Sequence, residues 1–147
     1  SVRALLIGLT QPWVIENVVS ARRHMRPTLL LHGGMFGLGV HRPRLFESNI
    51  LVPFIDAPAC IDPVGVYGDH PQQHFSHRNG GMYLDADGTR QYKSQSPFRR
   101  ARTIEEAREV MGIDWMTWNE IKEAIPPAYT EWVGRQLIRA LTPPTAP

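Results

Sequence analysis

Apolar positions fall in short clusters cut by glycine, proline and polar runs, a pattern of many small elements. Residues 2–9 read as the end of an amphipathic helix that Thr10-Gln11-Pro12 terminates. Trp13-Val14-Ile15 is a short buried strand, aromatic and β-branched, running into Glu16-Asn17-Val18. A carboxylate and an amide thus stand at the carboxyl end of a strand, where α/β folds collect their ligands. A basic connector over 20–26 leads to a second strand at Thr28-Leu29-Leu30-Leu31, and Gly33-Gly34 turns the chain. The segment 35–40 is apolar and glycine-punctuated. A third strand is expected over 44–47, and 50–53 continues as strand or extended chain.

Residues 53–100 lose periodicity, with residues 64–67 (Val-Gly-Val-Tyr) as the clear strand candidate and 85–88 as a turn. So long an irregular run in a compact domain points to a functional loop region. Order returns at Thr103, which with Glu106 forms a capping box and opens a helix over 104–111 that stops near Gly112. Thr117 and Glu120 form a second box, for a short helix reaching about Ala124. Pro126-Pro127 ends that helix and starts a third, with Tyr129, Val133, Leu137 and Leu141 on one apolar face. Residues 142–147 are read as a disordered tail.

Composition narrows this picture. Of 147 residues 42% are hydrophobic and 20% charged, which argues against wholesale disorder; 12 glycines and 13 prolines agree with a loop-rich chain. A net charge of +2 permits nucleic-acid binding without requiring it. A single cysteine, Cys60, excludes an internal disulfide framework and a four-cysteine zinc site. It makes a reducing, cytoplasmic setting the simpler expectation. No apolar run approaches the roughly 20 residues of a membrane span, and no signal peptide is evident. The start at Ser1, in a helix without earlier turns, reads as a hint of missing upstream polypeptide.

Several motifs stand in one order. They are Trp13-Val14-Ile15-Glu16-Asn17-Val18, Gly34-Met35-Phe36-Gly37-Leu38 and Val40-His41-Arg42-Pro43-Arg44-Leu45-Phe46-Glu47. After the irregular stretch come residues 102–108, 111–116 and 124–129. The set resembles the C-terminal half of the DNA cytosine-5 methyltransferases, especially phage and actinobacterial members, over nearly the whole chain. The resemblance implies an α/β fold with part of a Rossmann-like methyltransferase sheet. Residues 1–49 would belong to the catalytic domain, 50–101 would be the target-recognition region, and 102–141 would be helices returning to the catalytic domain.

The resemblance also implies roles. That family extrudes its target base from double-stranded DNA, attacks C6 with a cysteine thiolate, and methylates C5 from S-adenosylmethionine. Glu16 would face N3 and the exocyclic amine, a task suited to a buried carboxyl with a raised pKa. Asn17 would orient the loop. Of the Arg-x-Arg pair, Arg44 more than Arg42 would approach O2. Arg99, Arg100 and Arg102 would serve as phosphate ligands. The turn at Ala124, Ile125 and Pro126 would lie near the methyl donor. The departures are equally specific. The glycine-rich donor loop and the Pro-Cys nucleophile motif are absent; Val40 replaces a glutamine, and Lys122-Glu123 replace Gly-Asn. Cys60 does not match the nucleophile motif. The donor site and nucleophile would therefore come from a missing segment or a partner chain.

Plainer readings stand beside these. The chain is alternatively a non-catalytic DNA-binding remnant of such an enzyme. Glu16 is alternatively an ordinary strand-end carboxylate. Arg42 and Arg44 alternate along extended chain, so one pairs with Glu47 or Asp56. Cys60, Asp69, His70, His74 and His77 offer zinc ligands but lack a paired-cysteine motif, so no metal is assigned. Residues 74–79 faintly resemble a histidine-asparagine nuclease site. Trp115, Trp118, Tyr129 and Trp132 are read as packing residues, with a wall for the donor's adenine as the alternative. The basic run 22–26 is read as a solvated stretch, with phosphate contact as the alternative.

Overall fold

The computed structural model describes residues 2–56, 62–68, 82–84, 90–92 and 98–142. Cys60, His70, His74, His77, the turn at 85–88 and the tail from 143 lie outside the described residues. So do the zinc and nuclease readings that rest on them.

The fold is mixed α/β. Three strands, β1 (Val14–Val18), β2 (Leu29–Leu31) and β3 (Arg44–Ser48), form an antiparallel sheet in the order β1-β3-β2. The central β3 runs against both neighbours, so β1 and β2 point the same way and their carboxyl ends share one rim. Register pairs Glu16 with Phe46, Val18 with Arg44, Leu29 with Phe46 and Leu31 with Arg44. Because side chains alternate, Glu16, Arg44, Phe46, Leu29 and Leu31 share one face. Residues 50–53, expected as strand or extended chain, form no strand. Ser48 and Asn49 instead turn their side chains back: the Ser48 hydroxyl donates to the Trp13 carbonyl at 2.7 Å, and the Asn49 amide oxygen accepts the Trp13 N–H at 2.8 Å. The sheet ends there.

Two short strands the sequence did not suggest, β4 (Met82–Leu84) and β5 (Arg90–Tyr92), form a separate antiparallel pair. Residues 64–66 form isolated bridges rather than a full strand. Val64 lies parallel to Val40, and Gly65 lies parallel to Arg100. This short ribbon joins the end of the sheet to the segment that enters the helices.

Helix α1 (Val2–Leu6) stops earlier than expected. Helix α2 (Ile104–Met111) has the expected bounds. The Thr103 hydroxyl accepts the Glu106 N–H at 3.1 Å, and Gly112 closes the helix in the left-handed conformation at φ 67°. The reciprocal half of that capping box differs. The Glu106 carboxylate reaches past Thr103 to accept the Arg102 N–H at 2.7 Å. Helix α3 (Trp118–Ile121) is one turn, shorter than expected, with Glu120 accepting the Thr117 N–H at 2.8 Å. Helix α4 (Pro127–Leu141) buries Tyr129, Val133 and Gln136, while Leu141 is exposed.

Two apolar clusters form the interior. One gathers Val40, Val64, Val66 and Ala101 with Ala107 and Met111 of α2 and Trp118 and Ile121 of α3. The other packs α4, through Tyr129 and Val133, on Leu29, Leu31 and Phe46 of the sheet. Thus α4 covers the sheet face that carries Glu16 and Arg44, whereas α2 and α3 share their core with the 64–66 ribbon. Leu38 packs against both clusters. Among the described residues no helix is long and apolar enough to cross a membrane.

Candidate functional site

The structure brings Glu16 and Arg44 together. Glu16 ends the interior part of β1 and Arg44 opens β3, one pleat apart on the same face. That diagonal spacing lets long side chains meet. The Arg44 Nε lies 2.9 Å from a Glu16 carboxylate oxygen, with 12% and 28% of the two side chains exposed. A second Arg44 nitrogen donates to the Pro43 carbonyl at 3.0 Å, fixing the guanidinium plane. Burial pushes the Glu16 carboxyl above its ordinary range, while the charges of Arg44 and Arg42 pull it back. Neither influence removes the other, so the pair is a half-buried acid beside a held cation at the carboxyl-end rim of β1.

Asn17 is exposed, and its side-chain oxygen accepts the Val18 N–H at 2.9 Å, which stiffens the exit of β1. Val18 and Val19 stay exposed beside it.

Arg42 lies elsewhere. The strand begins only at Arg44, so the two arginines do not alternate on one strand. Arg42 is 8% exposed, and its guanidinium donates to the carbonyls of Val66 at 2.9 Å, Ala124 at 3.0 Å and Lys122. Its own carbonyl accepts the Tyr129 hydroxyl at 3.0 Å. Desolvation and the neighbouring Arg44 charge lower its pKa to about 10. Arg42 thus ties the sheet end, the 64–66 ribbon and the turn before α4 into one body.

Neither arginine pairs with Glu47. That carboxylate is 3% exposed and takes a two-pronged contact from Arg3 of α1 together with the Arg26 N–H at 2.8 Å. The missed partner, Arg3, also donates to the His24 carbonyl at 2.6 Å. Its position in an otherwise apolar helix was the signal that marks it, since an isolated cation there wants an acid.

The three arginines near α2 are placed differently from one another. Arg99 pairs with Glu106, and Asp62 lies 3.8 Å away. Arg100 lies over the Trp118 ring at 5.7 Å. Arg102 is exposed. Trp118 is buried and donates its indole N–H to the Gly68 carbonyl at 2.9 Å. Tyr129 is buried, as packing requires, but Trp115 is 66% exposed. The indole N–H of Trp132 has no partner among the described residues.

At the turn before α4, Pro126 is fully enclosed, Ile125 packs on the sheet cluster, and the Ala124 carbonyl is taken by Arg42. At the same turn the Pro126 carbonyl accepts the Tyr129 N–H at 3.0 Å. Among the described residues no cluster of three potential metal ligands occurs.

Two cavities lie near the rim. One of about 440 Å³ is lined by Arg22, Thr28, Leu30, Met35, Leu45 and Phe54. The other, about 310 Å³, is lined by Leu30, His32, His41 and Pro43 together with Pro63 and Phe98. No protein-family model matches this sequence, and no curated protein is significantly similar to it.

Proposed function

We propose that this chain supplies the base-holding side of a DNA cytosine-5 methyltransferase, with the donor loop and the nucleophilic cysteine on other polypeptide. The observation that carries the reading is the Glu16–Arg44 pair, 2.9 Å apart at the carboxyl-end rim of the sheet. Cytosine presents, along one edge, an amine donor, the acceptor N3 and the acceptor O2. A carboxyl accepts from the amine, and when protonated it donates to N3; a guanidinium donates to O2. The raised Glu16 pKa favours the protonated form that N3 needs. Thymine, with an N–H at that ring position and a carbonyl in place of the amine, reverses the donor and acceptor order that Glu16 meets in cytosine. Extrusion brings the base to a half-buried site where both contacts exceed their strength in water.

In this reading Arg42 is a positioning residue. Anchored to the Val66, Ala124 and Lys122 carbonyls, it fixes the backbone that leads through Pro43 into Arg44. The target-recognition role falls to residues 50–101, with Arg99, Arg100 and Arg102 at the phosphates of double-stranded DNA. The methyl donor supplies the transferred carbon and is bound outside the residues described here.

Two features support an outside partner. Among the described residues the outer edge of β1 carries no partner strand. Helix α1 buries none of its residues, and Val2, Leu5 and Ile7 are each more than 60% exposed. The helix is held by the Arg3–Glu47 contact, so its apolar side chains face outward in a fixed orientation, a mark of an interaction surface. β1 and β2 run the same way with the reversed β3 between them, an arrangement that one reversed strand inserted in a larger, mostly parallel sheet would give.

The test is methyl transfer. The chain is mixed with an N-terminal half bearing the glycine-rich loop and Pro-Cys motif, labelled S-adenosylmethionine and duplex DNA. Label enters cytosine C5 only with both halves present, and Glu16→Gln abolishes it. Transfer at an undiminished rate by Glu16→Gln contradicts the assignment.

A further inference from the structure

The 310 Å³ cavity is lined by neither Glu16 nor Arg44. Its walls include Leu30, His32, Pro43, His41, Pro63 and Phe98. Pro43 lines the cavity, and its carbonyl accepts from the Arg44 guanidinium at 3.0 Å. The walls come from both sides of the molecule. Leu30, His32, His41 and Pro43 belong to the sheet end, Pro63 and Phe98 to the irregular region. The size sits at the lower end of small-ligand cavities, which begin near 300 Å³.

Its chemistry is that of a stacking slot. The His41 and Phe98 rings stack with centroids 3.7 Å apart and planes 26° from parallel. His41 remains exposed although it is stacked, so one side of this two-ring platform is presented outward. The remaining walls are mostly apolar, with the His32 imidazole as the second polar group. Burial and the nearby His32 hold the His41 imidazole below its ordinary pKa, and so neutral at physiological pH. An aromatic platform bordered by two imidazole edges suits a flat heterocycle with hydrogen-bonding edges.

We propose that this cavity binds a second, unpaired nucleobase of the same DNA, stacked against the His41–Phe98 platform. The proposal rests on the base-holding reading above and adds a site to it. A strand from which one base has been extruded offers neighbours whose stacking partner is gone. The His41–Phe98 platform, linked to Arg44 through Pro43, replaces that lost stacking. Base–aromatic stacking tolerates any base, so this site adds affinity and holds the strand open without reading sequence.

The test uses a fluorescently labelled dT12 strand; because thymine keeps the O2 that Arg44 would contact, each measurement is repeated in an Arg44→Met background, where the Glu16–Arg44 pair is absent. Its affinity is measured by anisotropy for the wild-type chain and for His41→Ala, Phe98→Ala and His41→Phe. Phe98→Leu serves as a second, milder variant should Phe98→Ala unfold. The alanine variants weaken binding by about tenfold, as the loss of one stacked base predicts. His41→Phe, which keeps a flat ring, retains it, and the Phe98 ring protons of the wild type shift on titration. Equal affinity of the ring-less variants, or no binding of dT12 by the wild type, overturns the proposal. Preference for cytosine at Glu16, measured on a separate duplex, is read without either ring, so the two claims fail independently.

Discussion

Glu16 and Arg44 are diagonal neighbours on antiparallel strands, and their side chains close a 2.9 Å contact at the rim where β1 ends. The carboxyl is raised by burial and lowered by the cation beside it. Removing the cation leaves burial opposed only by the more distant Arg42. Arg44→Met therefore raises the Glu16 titration midpoint further. Carbon-detected NMR of the Glu16 carboxyl reads it directly, and a midpoint that falls or stays fixed contradicts the pairing.

Arg42 satisfies three buried or half-buried carbonyls at once. Stranding acceptors costs about 1–3 kcal/mol each. Arg42→Met is expected to lose about 3 kcal/mol in total, a fall in Tm of roughly 6–12 °C for a chain of this size. Arg42→Lys recovers little, since one ammonium cannot reproduce a planar fork that reaches three separate carbonyls. Thermal unfolding followed by circular dichroism measures both.

Glu47 gives a pH signature. Its contact with Arg3, and the Arg26 N–H, hold its carboxyl below the unfolded value of 4.5. A depressed carboxyl contributes stability above that unfolded value and loses it as pH falls through the folded one. Glu47→Gln therefore lowers Tm at pH 7, by roughly 4–8 °C for a loss of about 2 kcal/mol. The gap to wild type narrows as pH drops below 4.5. A constant gap from pH 7 to 3 counts against the ion pair as the cause.

Gly33 is required by close approach. A Cβ there would stand 2.3 Å from the Val40 carbonyl oxygen and 3.0 Å from that of Leu38. Both are backbone, so neither swings away. Gly33→Ala is expected to cost about 1–3 kcal/mol through overpacking. It also displaces the segment that carries His41 and Arg42. Gly8→Ala, where a Cβ meets nothing within 4 Å, is the control that leaves stability nearly unchanged. Denaturant midpoints separate the two.

Much of the local structure was legible in the sequence because its causes are local. The Thr103 hydroxyl and Gly112 mark both ends of α2 by chemistry that needs no tertiary partner. Pro127 opens α4, and β-branched and aromatic residues mark β1. The meeting of Glu16 with Arg44 was reachable from the motif order, but its geometry depends on register, which pairs Glu16 with Phe46 and leaves Arg44 one pleat away. What sequence did not give was long-range. Arg42 looks like a twin of Arg44, yet it is turned inward by carbonyls near positions 66 and 124, more than twenty residues distant. Arg3 and Glu47 lie 44 positions apart and find each other only once α1 is laid on the sheet. Leu141 fits the helical apolar spacing of α4 but, as the last residue of the helix, stays exposed. The β4–β5 pair hides in a stretch without alternation, where pairing is set by partner rather than pattern.

The most direct measurement of the central claim is base discrimination by the chain itself. Duplexes carrying a single cytosine or a single thymine opposite an abasic site make extrusion inexpensive and otherwise match. The chain is predicted to bind the cytosine duplex about tenfold more tightly, and Glu16→Gln to erase most of that difference. Equal affinity for the two duplexes, or a cytosine preference that survives Glu16→Gln intact, contradicts a base site built on Glu16 and Arg44.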